Sequence, residues 1–122
     1  MTDNNTGGFA REFEELRIWQ DARTLSIKIY GFFGQCKDFG FRDQIQRSAV
    51  SVMNNIAEGF ERDSRADFVR FLGFAKASSG EVRSMLHLAT DLKYLSSEQS
   101  EETRAFAKQL SRSIKAFSKT LE

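Results

Sequence analysis

Apolar residues recur along this chain at steps of three and four, the spacing that gathers side chains on one side of an α-helix. Ile18, Ala22, Leu25, Ile29, Phe32 and Phe33 form the first such series and run into "GFFGQCKDFGF", where Gly34, Asp38 and Gly40 signal a turn. The spacing predicts a first helix over residues 17 to 35. A second series, Ile45, Ala49, Val52, Met53 and Ile56, predicts a helix over residues 42 to 60, with Gly59 as a permissive C-terminal residue. Ser64, followed three residues later by Asp67, has the form of a capping pair. Beyond it Phe68, Phe71, Leu72, Ala75, Val82, Leu86 and Ala89 keep one apolar face to an end near Tyr94 and Leu95, and small Ser79 and Gly80 allow a neighbouring helix to approach. Ser97 and an acidic first turn open the last helix, which turns Phe106, Leu110, Ile114, Phe117 and Leu121 inward. No strand-like alternation is sustained, and the chain has no proline to interrupt a helix. Four long helices with short connections specify an all-α, antiparallel up-down four-helix bundle. Residues 1–12 are expected to be a flexible N-terminal tail and residues 13–122 the bundle domain; Phe9, Phe13 and Leu16 could lie against it where the chain enters the first helix.

One helix carries a second ordered face. In "QIQRSAVSVMNNIAEGFERDS", Gln44, Arg47, Ser48, Ser51, Asn55 and Glu58 also follow steps of three and four and form a polar stripe beside the apolar one. These residue types could be catalytic, but a packing role explains them better. Arg47 and Glu58 are three turns apart, so each is expected to find a partner on another helix, while Ser48 and Ser51 permit close packing between them. Polar groups buried in this way are tolerated only when hydrogen-bonded, and they often fix register or partner choice. The stripe is therefore read as a packing or assembly face.

Composition excludes several alternatives. The 122 residues are 40% hydrophobic with twelve Phe, enough for one core. The single Cys36 cannot form an internal disulfide, which fits a reducing cytoplasm, and the first residues lack the blocks of a signal peptide. No apolar run is long enough to span a membrane. His87 is the only histidine, and the position three before it is Ser84, so the Glu-x-x-His pairs of a di-iron bundle are missing. No metal site, cofactor or catalytic residue is expected. "FGF" and "SSG" lack the strand and the lysine of a phosphate loop. Enzymatic activity is not expected.

Eighteen basic and seventeen acidic residues give a net charge of +1, so only local clustering can point to a polyanion. Arg104, Lys108, Arg112, Lys115 and Lys119 provide it, stepping along one face of the last helix for about 22 Å. Arg65, Lys76 and Arg83 share a face of the preceding helix and could extend the patch. Such a surface could track RNA or DNA phosphates with counterion release. Without interleaved aromatic groups it would not read sequence. The alternative is a purely structural or protein-interaction oligomer. Glu98, Glu101 and Glu102 at the start of this helix and the bases at its end are also what the helix dipole favours.

"FEELRIWQDARTLSIKIY" and "QIQRSAVSVMNNIAEGFERDSRADFVRFLGFAKASSGEVRSMLHLATDLKYL", covering residues 13 to 95, resemble the bacterial four-helix bundle family encoded by intervening sequences of large-subunit (23S) ribosomal RNA genes. The run from Asn55 to Gly59 is the most specific part. That family is similar to accessory variability determinant proteins of diversity-generating retroelements. The resemblance implies an up-down protomer, a homopentameric ring and no enzymatic activity. For the retroelement relatives it also implies binding of nucleic acid and of a reverse transcriptase. The chain departs from the family at Gln46, where a second basic residue often stands, and at Val52, Met53 and Asn54, a stretch that often contains proline.

Overall fold

The computed structural model describes residues 10–122. The expected tail falls largely outside the described residues, and Phe9 does so entirely. A 3₁₀ turn, Phe13–Glu15, leads into helices α1 (Arg17–Phe33), α2 (Phe39–Glu61), α3 (Arg65–Asp91) and α4 (Ser97–Lys119). No strand occurs among the described residues, and no helix there is long and apolar enough to cross a membrane.

Each helix packs on its two neighbours, α1 closing on α4, to make an antiparallel four-helix bundle. The pairings show the antiparallel register. Ser48 and Ser51 of α2 meet Glu81 and Ser78 of α3, while Ser79 and Leu86 of α3 meet Ala107 and Ser100 of α4. The apolar faces enclose one core. Leu25, Ile29, Ile45, Ile56, Leu72 and Leu110 are almost wholly buried, and Phe71 and Phe117 retain only slight exposure. Met53 and Phe106, expected to turn inward, are half-buried at the rim, where Ser26 reaches Met53 Sδ and the Lys28 ammonium lies over the Phe106 ring.

Helix ends shift from their sequence-derived positions for identifiable reasons. α2 starts three residues early because the Asp38 carboxylate accepts the Phe41 N–H as an N-cap, which places Gly40 inside the first turn. α3 begins at the expected Ser64 cap, although Asp67 bonds Arg70 and completes no reciprocal capping box. It ends before Tyr94 through a Schellman closure: Lys93 takes the left-handed conformation (φ 62°), Lys93 N–H bonds Thr90 O and Tyr94 N–H bonds Ala89 O. Lysine gives no sequence signal for a position usually held by glycine. The cap of α4 is Ser96, one residue before the expected Ser97.

Gly59 is not the permissive C-terminal residue its position suggested. No described glycine has positive φ. A Cβ on Gly59 would lie 2.8 Å from Phe71 Cβ and 2.9 Å from Phe68 Cδ1, so the missing side chain is what lets α3 cross α2 here. Four of the five residues of the family-like run, all but Ala57, thereby have a structural role. Asn55 donates to Ser51, Ile56 fills the core, and Glu58 holds Arg62 at 2.8 Å, whose guanidinium covers the Phe71 ring lying over Gly59.

At one end of the bundle Phe33, Phe41 and Tyr94 stack edge to face, and Tyr94 Oη donates to Asp38 Oδ2 at 2.7 Å. This bond ties the α1–α2 turn to the α3–α4 turn. Together with the Phe41 N–H it holds the Asp38 carboxyl below its ordinary value of 3.8, and it raises the Tyr94 phenol above its own.

Gly59→Ala should destabilise the bundle by about 1–3 kcal/mol through overpacking. Gly80→Ala, where an added Cβ meets nothing within 4 Å, should stabilise it by up to about 1 kcal/mol. Urea unfolding of both variants checks this, and equal responses would contradict the close crossing. The lowered Asp38 pKa makes its contribution to stability complete above the ordinary carboxylate range and lost as pH falls through the lower folded-state value. Tyr94→Phe removes the larger cause. Its melting temperature should therefore trail the parent's at neutral pH and converge with it in acid, whereas a gap independent of pH would dissociate the bond from Asp38 ionisation.

Candidate nucleic-acid interface

The polar stripe of α2 is divided by the fold. Its middle faces α3: Ser51 and Ser78 hydroxyls lie 2.9 Å apart, and Ser48 donates to Glu81 at 3.4 Å. Asn55 completes this seam by donating to both the carbonyl and the hydroxyl of Ser51. Its ends remain exposed and pair locally. Arg47 donates to Gln44 and Glu58 pairs with Arg62, in place of the partners expected on other helices. On the α1 side, Arg47, Asn55 and Glu58 border an open groove of about 560 Å³ with Tyr30, Gln46 and Val50. Tyr30 and Ile27 of α1 are 50% and 64% exposed, too much apolar surface to be explained by packing within the protomer.

The bases form a clearer site. Three hollows lie along the α3–α4 seam and share wall residues: Gly73 and Lys76 belong to the first and second, Arg83 to the second and third. Together they line up as a row of adjoining hollows, the α3–α4 groove. α3 contributes Lys76 and Arg83, and α4 contributes Arg104, Lys108, Lys115 and Lys119. Among the described residues none of the six has a carboxylate within ion-pairing distance, because the ion pairs formed there use Arg42, Arg62 and Arg70. Glu101 and Glu122 stand at opposite ends of the groove.

Two polar bonds set the register that brings the rows together. Ser79, fully buried on α3, donates to Ala107 O at 2.9 Å, and Ser100, fully buried on α4, donates to Leu86 O at 3.0 Å. The Ser100 hydroxyl also accepts from Arg104 Nε at 3.1 Å, which positions that guanidinium at the groove. The two remaining sequence candidates, Arg65 and Arg112, are exposed but border none of the hollows. At about 100° per residue Arg112 is the stripe member turned furthest from Ser111, which faces the seam.

Sequence reasoning missed the small residues between the charged rows. Gly73, Ala77 and Ser111 border the middle hollow, and nothing in their types marks an anion site. His87 is exposed beside Arg83 and Arg104, and Cys36 is half-buried with its thiol 3.9 Å from Asp38 O. Among the described residues no three His, Cys, Asp or Glu side chains converge as a metal site would require.

The model of the 23S rRNA-intervening sequence protein family matches residues 14–116. Among solved structures, the chain is similar to a protein of unknown function from the S23 ribosomal protein family of Bacteroides thetaiotaomicron VPI-5482, determined at 1.70 Å. Identity is 26% and the TM-score 0.78, over 84% of this chain and 98% of the other. No curated protein matches the chain.

The divided stripe gives unequal expectations for its members. Ser51→Ala should cost about 1 kcal/mol, because Ser78 and Asn55 each lose a partner in the seam. Gln44→Ala, at an exposed end, should stay within about 0.5 kcal/mol. Thermal unfolding of the two variants measures the difference, and equal losses would show that the seam contributes no more than the solvated end.

Proposed function

Since the chain belongs to the 23S rRNA-intervening sequence protein family, we propose that it is a non-enzymatic, oligomeric, cytoplasmic protein that binds structured RNA or DNA with little sequence selectivity through the α3–α4 groove. The observation that carries this reading is the confluence, along one row of adjoining hollows, of six cations from two helices that have no carboxylate partner among the described residues. A surface groove of charged side chains suits a phosphate backbone, whose recognition needs positive charge and reach rather than a deep pocket. The six cations include no aromatic stacking platform, so contacts to base faces have no support here.

A homo-oligomer, expected as a pentamer, supplies what one groove lacks. Each protomer offers a short contact, and several held in one ring raise the affinity by avidity. The groove bordered by Tyr30 and the outer ends of the α2 stripe, with Ile27 beside Tyr30 on α1, is the proposed contact between copies. It lies on α1 and α2, away from the basic groove of α3 and α4, so assembly would leave the bases free.

Lys76→Gln combined with Lys108→Gln should weaken binding to a labelled RNA hairpin and to a DNA duplex alike. The dependence of log affinity on log salt should fall by nearly 2, since each B-DNA phosphate that is no longer neutralised removes about 0.9. Arg112→Gln should change either quantity less. Fluorescence titrations at several salt concentrations, with light scattering to confirm an unchanged mass, make the comparison. A parent protein that forms the oligomer but binds neither nucleic acid would leave a structural assembly as the function.

A further inference from the structure

We infer that the middle hollow of the α3–α4 groove seats one phosphate group of the bound nucleic-acid backbone, with the Ser111 hydroxyl as its hydrogen-bond donor and Lys76 and Arg83 as its counter-charges. The inference rests on the nucleic-acid reading of the groove and assigns the point where the backbone comes closest to the protein. Ser111 is 7% exposed, and its hydroxyl is the buried side-chain polar atom without a partner among the described residues. Buried hydroxyls are nearly always satisfied, so an orphan next to a surface hollow calls for an explanation.

The usual one is withdrawn here. A helical serine commonly donates to the carbonyl four residues back, but that carbonyl, Ala107 O, already receives the Ser79 hydroxyl from α3. Ser111 itself borders the middle hollow, at about 380 Å³ the largest of the three, against 230 and 220 Å³ for its neighbours. A single side-chain torsion carries its hydroxyl, so the group can be presented to the hollow without backbone movement.

The other walls suit an oxyanion. Lys76 and Arg83 stand two turns apart on α3, with Ala77 and Gly80 between them and Gly73 before them. A Cβ on Gly73 or Gly80 would meet no atom within 4 Å, so their bare backbone leaves open space. A lysine, an arginine and a neutral donor around open space supply charge and direction to a phosphate diester, and no carboxylate borders this hollow. Sequence selectivity is not expected of such a seat.

The test measures a labelled RNA hairpin binding to the full-length parent, Ser111→Ala and Ala77→Leu across a salt series, with melting temperature and oligomeric mass recorded for each. Ser111→Ala should bind about fivefold more weakly, one hydrogen bond's worth, with an unchanged salt slope because no charge is lost, and should melt no lower than the parent. Ala77→Leu, a good helix former at an exposed position, should fill the hollow and weaken binding by at least tenfold while preserving mass. If both variants bind like the parent while Lys76→Gln with Lys108→Gln does not, the seat is overturned and the groove reading stands. If the parent binds no nucleic acid, both fall. A change of oligomeric mass in Ala77→Leu would assign the hollow to a contact between copies and overturn the seat.

Discussion

The crossing of α2 and α3 at Gly59 sets the geometry from which the rest of the molecule follows. Two helices normally keep their axes apart by the width of the side chains between them. At Gly59 that width is removed, and the Phe68 and Phe71 side chains occupy the space a Cβ would need. Farther along the same seam the facing residues are Ser51 with Ser78 and Ser48 with Glu81, again short or hydrogen-bonded across the gap. Arg62 and Arg70 place their guanidinium groups over Phe71 and complete its cover from outside. Close contact along α2–α3 thus depends on a glycine that admits Phe68 and Phe71 and on serines hydrogen-bonded across the gap, and the middle of the polar stripe is part of what holds the protomer together.

Apolar periodicity was sufficient to read the bundle from sequence, because burial of one face per helix is a repeated signal and no proline obscures it. Single-residue signals were less legible. Asp38 caps α2 from within a segment whose glycines suggest a longer turn, and Lys93 adopts a conformation for which lysine has no preference. Gly59 was visible but its reason was not. A glycine near a helix end is equally compatible with a left-handed cap and with a close crossing, and only the position of Phe68 and Phe71 on another helix decides between them.

For the basic surface, the sequence carries both rows of charge but not their alignment. Helical spacing shows that Lys76 and Arg83 share a face, and that Arg104, Lys108, Lys115 and Lys119 do so too. Whether the rows confront one another depends on the register between α3 and α4, which the buried bonds from Ser79 and Ser100 to carbonyls of the opposite helix determine. A serine on a helix has no visible partner in sequence, since the acceptor is a backbone group far along the chain. The same limitation hides Ser111, whose lack of a partner is a property of its neighbours.

The charge balance explains why a surface of this kind would need repetition. With a net charge of +1 the protomer has little long-range attraction for a polyanion, and at physiological salt a field from exposed side chains decays within about 8 Å. Attraction is then confined to the groove itself, where the cations have no carboxylate partners among the described residues. One such groove would touch only a few phosphates and release only a few counterions. In the proposed ring the local contacts add along one nucleic acid while net charge rises only by +1 per copy, so binding would remain dependent on shape and spacing of the ligand rather than on indiscriminate attraction. The separation of the two grooves would permit this: α1 carries the exposed apolar residues Ile27 and Tyr30 beside the first groove, α3 and α4 carry bases without carboxylate partners among the described residues, and neither surface would have to be covered for the other to act.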